Sequence, residues 1–152
     1  MALNVELLRA TFDAVVAPNP NLTHRFYENL FERYPQARGL FKSRPIETQE
    51  KMLRDALVAV MDHLEDPPWL RYNLEALGEK HVAYGIADEM YTWVGEALIA
   101  TLAETAGSAW TPAIEAAWTE AYGAIAAFMI EGAKRARAEA NKGGDNAPHS
   151  AV

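Results

Sequence analysis

The sequence contains no cysteine in 152 residues. Disulfide bonds, zinc–thiolate sites, iron–sulfur clusters and thiol nucleophiles are therefore excluded, and the absence fits a reducing cytosol. Sustained period-two alternation of apolar residues is also missing, as are the Asn-Gly and Asp-Gly pairs typical of tight hairpins. Nothing in the sequence indicates a β-sheet.

Long apolar runs and an excess of positive charge are missing as well. The longest uncharged apolar run covers residues 121–130, which is far shorter than the roughly 20 residues of a membrane span. Glu6, Arg9 and Asp13 interrupt the N-terminal segment, so it does not resemble a signal peptide. A net charge of −7 argues against sequence-independent nucleic-acid binding. We expect a cytoplasmic protein without nucleic-acid or membrane partners.

Helical periodicity, in contrast, runs through almost the whole chain. Half of the residues are hydrophobic, and they recur at intervals of three and four. The pattern predicts one all-α domain of six or seven helices over residues 1–140, followed by a disordered tail at 141–152. The predicted helices cover about residues 3–16, 22–34, 45–64, 67–84, 89–105 and 113–138.

Residues that favour helix ends mark several of these boundaries. Pro45 is suited to the start of the third helix, because a first turn does not need its missing N–H. Asp66, Asp88 and Thr111 are candidate caps at the starts of the fourth, fifth and last helices. Gly107 is the expected terminator of the fifth helix.

Three polar side chains lie on helix faces that should be apolar. Gln49 interrupts the stripe of Ile46, Leu53, Leu57, Val60 and Leu64. His81 shares a face with Leu70, Leu74, Leu77 and Tyr84, and Tyr27 is flanked by Phe26, Leu30 and Phe31. Taken singly, each is most simply an ordinary core or edge residue that bonds to a neighbouring group.

Taken together, a histidine, a glutamine and a tyrosine that converge on one cavity would suit a bound metal ion. His81 could supply a neutral imidazole ligand. His24, His63 and His149 show no metal-ligand spacing, so a di-iron or zinc site lacks its ligand set. A metal with one protein ligand must be held by something else as well, and haem is the usual answer.

Four segments of the chain resemble the globin family. They are FYENLFERYPQARGLF at 26–41, ALGEKHVAYGI at 76–86, YTWVGEALIATL at 91–102 and AWTPAIEAAWTEAYGAIAAFM at 109–129. Their order and spacing are similar to those of single-domain bacterial globins and the haem domain of flavohaemoglobins, with a likeness to neuroglobin. The resemblance covers about residues 3–135 and implies a globin fold of six to eight helices around one haem b (iron protoporphyrin IX).

The resemblance also implies roles for individual residues. His81 matches the proximal iron ligand, and its second ring nitrogen would bond to a carbonyl near Leu77. Tyr27 and Gln49 match the distal positions that meet a bound gas. The other matched cofactor contacts are Phe41, Leu53, Leu77, Ile86, Tyr91 and Val94, and the candidate partners of the haem propionates are Lys80 and either Lys42 or Arg44.

The function implied is reversible binding of dioxygen, nitric oxide and carbon monoxide at a five-coordinate iron. The Tyr27 O–H and the Gln49 N–H would stabilise the partial negative charge on bound dioxygen. This predicts tight oxygen binding with slow release, for storage, transport or scavenging. Glutamine is not a usual iron ligand, so the internally ligated state of neuroglobin is not expected.

One position departs from the flavohaemoglobin pattern. In those globins a tyrosine and a glutamate support the proximal histidine. Tyr91 matches the tyrosine, but Ala133 stands at the glutamate position, and Glu131 points elsewhere on the helix. A complete proximal network for oxygen-activating or peroxide-type chemistry is therefore not expected.

Three alternatives to oxygen binding stay open. The first is nitric-oxide dioxygenation to nitrate, which would need a separate cellular reductase, because no flavin or nicotinamide module follows the globin segments. A gas sensor would need a fused output domain, and a peroxidase would need an acid–base residue, which Gln49 cannot supply. The expected oligomeric state is a monomer or a weak homodimer.

Overall fold

The computed structural model describes residues 3–42 and 44–146, with side chains described as far as residue 142. Within these ranges the chain forms helices and turns but no strand. The six α-helices are α1 (Val5–Thr11), α2 (Leu22–Arg33), α3 (Ile46–Asp62), α4 (Pro67–Ala83), α5 (Glu89–Ala106) and α6 (Pro112–Asn146). A π-helical segment, Phe12–Val16, continues α1, and 3-10 segments cover Pro35–Phe41 and Gly107–Ala109. The predicted all-α class is confirmed.

Most of the predicted helix boundaries are confirmed in atomic detail. The Asp66 carboxylate accepts a hydrogen bond from the Trp69 N–H at 3.2 Å, and the Thr111 hydroxyl oxygen accepts one from the Ile114 N–H at 3.2 Å. Gly107 ends α5 with a φ of +59°, in the region that favours glycine. Short polar side chains and glycine therefore mark these helix ends as the sequence predicts.

Three local predictions need correction. Asp88 does not cap α5 through its side chain, because its carboxylate pairs with Arg137 instead, at 2.9 Å. Tyr84 is not on the buried face of α4, since the helix ends at Ala83 and the Tyr84 side chain is 50% exposed. Helix α6 continues past Ala138 to Asn146 and so crosses the start of the predicted tail. The rest of that tail, 147–152, lies outside the described residues.

The larger part of the core lies between α1, α2, α5 and α6. Its fully enclosed side chains include Leu8, Phe26, Leu30 and Leu102. One buried polar contact crosses this core, because Asn29 on α2 donates to the Thr101 hydroxyl on α5 at 2.9 Å. Thr101 in turn donates to the Ala97 carbonyl at 2.7 Å, so both polar side chains are satisfied.

A second apolar cluster holds α4 against α5 and α6. Leu70, Leu74, Tyr91 and Met129 are its buried members. Here α4 and α6 cross so closely that a Cβ on Gly78 would lie 1.9 Å from the Met129 carbonyl oxygen. A Cβ on Gly132 would lie equally close, 1.9 Å, to the Glu75 carbonyl oxygen. Only glycine permits this backbone-to-backbone contact, which sets the position of α4.

None of the described helices combines the length and the apolar character that are needed to cross a lipid bilayer.

Candidate functional site

His81 lies in the last turn of α4, with its ring half-buried. Its Nδ1 is 2.7 Å from the Leu77 carbonyl oxygen, the hydrogen bond that the sequence predicts. Because a carbonyl can only accept, Nδ1 carries the proton and Nε2 keeps its lone pair. Burial lowers the pKa of His81, against the raising effect of the Leu77 bond, so the ring is neutral at pH 7. This imidazole is prepared to bind a metal ion through Nε2.

Tyr91, another residue predicted to contact a cofactor, packs near this histidine. The two ring centroids are 6.4 Å apart. Burial, and then the charge of Asp88, raise the pKa of the Tyr91 phenol. Its hydroxyl is buried and finds no hydrogen-bond partner within the described part of the chain. Ala133 is buried and Glu131 is exposed, so no carboxylate reaches the tyrosine from those two positions.

On α2 and α3, Tyr27 and Gln49 form a direct pair. The Gln49 side-chain amide donates to the Tyr27 hydroxyl oxygen at 3.1 Å. Tyr27 is only 4% exposed, and burial raises its pKa to about 12 although the Gln49 bond lowers it. The phenol is therefore protonated at neutral pH. Because its oxygen accepts from Gln49, its own hydrogen is free to be donated to a third group.

Three aromatic rings hold the Tyr27 side chain in place. Phe26 and Phe41 meet it edge-on, with ring centroids at 4.9 and 5.4 Å, and Phe31 lies at 5.9 Å. Edge-to-face contacts of this kind fix ring orientation as well as burying area. The hydroxyl direction is therefore set by packing before any ligand is present.

The other residues predicted to contact a cofactor divide into half-buried apolar groups and exposed lysines. The apolar side chains that stay half-buried are Phe41, Leu53, Leu77, Ile86 and Val94. Ligand clefts are typically lined by apolar side chains with a few polar groups among them. Lys42 and Lys80 are exposed. Arg44 is half-buried, and its guanidinium lies 5.8 Å from the Tyr84 ring centroid, so the segment before α3 reaches the end of α4.

The donor set fits haem better than a metal ion alone. The described residues hold no group of three or more His, Asp or Glu side chains that could bind a bare ion. One neutral imidazole, two hydrogen-bond donors and several half-covered apolar side chains match a cofactor that supplies the remaining ligands itself.

The sequence does not predict the contacts by which two arginines of α6 hold α4 and the loop that follows it. Arg135 donates to Glu75 at 2.7 Å and to Glu79 at 3.0 Å. Arg137 donates to Asp88 at 2.9 Å and to the Ile86 carbonyl at 3.2 Å. Charged residues near the end of a helix are most simply solvent-exposed, and nothing in the local sequence distinguishes these two arginines.

Comparison with known proteins places this arrangement in a family. The Globin family model matches residues 24–129. The chain is 34% identical over 128 residues to a flavohemoprotein of Rhodopirellula baltica, covering 83% of this chain and 31% of that protein. A flavohemoprotein of Vibrio cholerae is 30% identical over 130 residues, with coverages of 84% and 33%. The chain thus spans about a third of the length of these curated relatives.

Solved structures agree with this result. An engineered carbene transferase from Rhodothermus marinus, described as a candidate nitric oxide dioxygenase, superposes with a TM-score of 0.82 at 26% identity. The match covers 93% of this chain and 99% of that one. A bacterial globin from Campylobacter jejuni gives a TM-score of 0.74 at 25% identity, with coverages of 86% and 94%.

Proposed function

Because the chain belongs to the globin family, we propose that it binds haem b, with His81 as the iron ligand and the Tyr27–Gln49 pair on the opposite side. The globin domains of flavohaemoproteins bind haem. When bound, haem would supply an iron centre able to take up dioxygen, nitric oxide and carbon monoxide. We propose reversible oxygen binding, for storage or delivery, as the main function.

The observation that carries this proposal is the state of the His81 ring. Its Nδ1 proton is committed to the Leu77 carbonyl at 2.7 Å, which directs the Nε2 lone pair away from its own helix. The hydrogen bond also makes the imidazole more basic as a ligand. Half-buried Leu77 and Ile86 flank this end of α4, and they supply apolar surface for a planar cofactor.

The Tyr27–Gln49 pair would act on a gas bound on the side of the haem opposite His81. The Tyr27 O–H and the second hydrogen of the Gln49 amide are both available, because the contact between the two residues uses only one amide hydrogen. Donors fixed in a water-poor pocket interact strongly with developing negative charge. The pair would therefore slow the release of dioxygen.

The proposal is tested by adding haem to the purified apoprotein and recording ferric and ferrous absorption spectra. We expect a one-to-one complex with a Soret band. His81→Gly should abolish the histidine-ligated spectrum, and added imidazole should restore it, since free imidazole can enter the vacated space. Retention of that spectrum by His81→Gly without imidazole would refute the ligand assignment.

His63 offers a matched control for this experiment. Its Nδ1 also lies close to the carbonyl four residues back, that of Ala59, at 2.8 Å. Its ring, however, is stacked on Trp69 with a centroid distance of 3.6 Å, so one face of the ring is covered. His63→Gln should leave the haem spectrum unchanged.

A second candidate function is nitric-oxide dioxygenation. Similarity to the Rhodothermus protein favours it, as does the pair of distal donors. In this reaction dioxygen, nitric oxide and one electron give nitrate, and we propose a separate reductase as the electron source. Nitrate formation over many turnovers with a cellular reductase would support it. A single turnover followed by arrest in every reductase preparation would leave oxygen binding as the function.

A further inference from the structure

Helix α4, whose last turn contains His81, ends in a Schellman motif. Gly85 adopts a φ of +83°, its N–H bonds to the Val82 carbonyl at 3.1 Å, and the Ile86 N–H bonds to the His81 carbonyl at 3.2 Å. This is the crossed pair of bonds that closes such a helix end. The Ile86 N–H is thus bonded directly to the backbone of His81.

The other face of the same loop is held by α6. One nitrogen of the Arg137 guanidinium donates to the Ile86 carbonyl at 3.2 Å, and another donates to the Asp88 carboxylate at 2.9 Å. A planar guanidinium that meets two acceptors is fixed in direction as well as in position. We call these three groups, the Arg137 guanidinium, the Asp88 carboxylate and the Ile86 carbonyl, the proximal clasp.

The ion pair alone would be a weak support. The Arg137 and Asp88 side chains are 37% and 47% exposed, and pairs of that kind contribute little in water. The Ile86 contact differs, because the residue is half-buried and its own N–H already bonds to the His81 carbonyl. Two hydrogen bonds that share Ile86 therefore connect Arg137 to the His81 backbone: one at the Ile86 carbonyl and one at the Ile86 N–H.

The helix that carries Arg137 is itself fixed relative to α4. Gly132 brings the two backbones together at Glu75. Arg135 then donates to the Glu75 carboxylate, whose side chain is 10% exposed, at 2.7 Å. The clasp therefore extends from a fixed support. Of its three groups, Arg137 alone lies beyond the residues matched by the family, 24–129.

We propose that Arg137 is a positioning residue for His81. It would hold the Ile86 carbonyl, and through the N–H of the same residue the end of α4, so that the imidazole keeps one orientation towards the iron. This inference rests on the proposed haem function. It predicts that α6 beyond the matched family region tunes the iron–histidine bond without touching the cofactor.

The first test needs no haem. Amide hydrogen exchange of the apoprotein should show the Ile86 N–H exchanging about tenfold faster in Arg137→Gln than in the wild-type chain, because the anchor at the carbonyl of the same residue is lost. Arg137→Lys should show a smaller increase. Its ammonium can still donate a hydrogen bond, but it cannot reproduce the planar fork of the guanidinium. Lys134→Gln, at an exposed position on the same helix, is the control and should change nothing.

The second test uses the haem-loaded ferrous protein. The iron–histidine stretching band in the resonance Raman spectrum should shift or broaden in Arg137→Gln, recover part of the way in Arg137→Lys, and match the wild type in Lys134→Gln. Asp88→Asn keeps the Ile86 contact and should give a smaller shift than Arg137→Gln.

The outcomes separate the two proposals. Unchanged Ile86 exchange in Arg137→Gln would overturn the clasp, and faster exchange with an unmoved band would overturn the positioning of His81. A wild-type protein that binds haem without an iron–histidine band would instead overturn the ligand assignment under the proposed function. In that case the exchange data would still decide whether Arg137 holds the loop.

Discussion

The two sides of the candidate site are held in different ways. On the proximal side, α4 contacts α6 backbone to backbone at Gly78 and Gly132. On the side that we propose as distal, all of α3 is described, and Met61 is its one buried residue. Side-chain contacts attach α3 instead, including Gln49 to Tyr27 at 3.1 Å and Glu50 to His24 at 2.9 Å.

This difference suits the two tasks that we propose. A metal ligand needs one fixed orientation, and close backbone packing permits few alternatives. A helix that faces an entering gas needs to yield, and segments with little buried area open at a low cost in free energy. The comparison therefore predicts large effects on stability from proximal substitutions and effects on ligand kinetics from distal ones.

The largest effect is expected from Gly78→Ala. The new Cβ would lie 1.9 Å from the Met129 carbonyl oxygen, which is backbone and cannot move aside. Helices α4 and α6 would have to separate, at a cost of about 3 kcal/mol in the free energy of unfolding. Urea denaturation of the apoprotein, followed by circular dichroism, measures this loss.

Gly123→Ala is the matched control on α6. A Cβ there meets nothing within 4 Å, and the position is helical and exposed. Since alanine favours the helix over glycine, this variant should be stabilised by up to about 1 kcal/mol. Equal stability of the two alanine variants would contradict the close crossing of α4 and α6.

Tyr27→Phe tests the distal side and should act on kinetics more than on stability. Removing a donor to a charged ligand atom costs about 1.5–3 kcal/mol, so dioxygen should leave the haem-loaded variant about 10- to 150-fold faster. Stopped-flow displacement by carbon monoxide measures the rate. Tyr34→Phe is the control, because the Tyr34 hydroxyl bonds to Glu96 at an exposed position.

Gln49→Leu should produce a smaller acceleration, about three- to tenfold, because the Tyr27 hydroxyl would still be present. The double variant should be less than additive, since Gln49 and Tyr27 are hydrogen-bonded to each other. Strict additivity of the two free-energy changes would show that the residues act independently and would weaken the case for a pair.

The sequence predicts the candidate site residues better than the contacts that support them. Gln49, Tyr27 and His81 are detectable because each interrupts an apolar face at helical spacing. The caps at Asp66 and Thr111 follow from local chemistry and are confirmed. These features depend on neighbours a few residues away.

The proximal support depends on distant partners and could not be predicted in this way. Gly78 meets Met129 on another helix, and nothing near either residue in the chain indicates the contact. Asp88 shows the same limit, because a local interpretation makes it a helix cap, whereas an arginine on α6 takes its carboxylate. Periodicity identifies which face is buried but not which residues meet across it.

The smallest expected effect is the pH-dependent stabilisation of the fold by the His24–Glu50 pair, which joins α2 to α3. The hydrogen bond to Glu50 is the largest cause that raises the pKa of His24 above 6.5, with Glu28 and Glu47 adding to it. A raised pKa in the folded state means that protonated His24 stabilises the fold. That stabilisation is fully present below about pH 6.5 and is lost as the pH rises through the raised value.

His24→Gln should therefore lower the melting temperature slightly near pH 5.5 and leave it unchanged near pH 8.5. The ring is exposed, so solvent screens the pair and the effect should shrink in high salt. In a Glu50→Gln background the pH dependence of the His24→Gln effect should largely disappear, because the main partner is gone. A difference of equal size at both pH values would mean that His24 contributes through packing rather than charge.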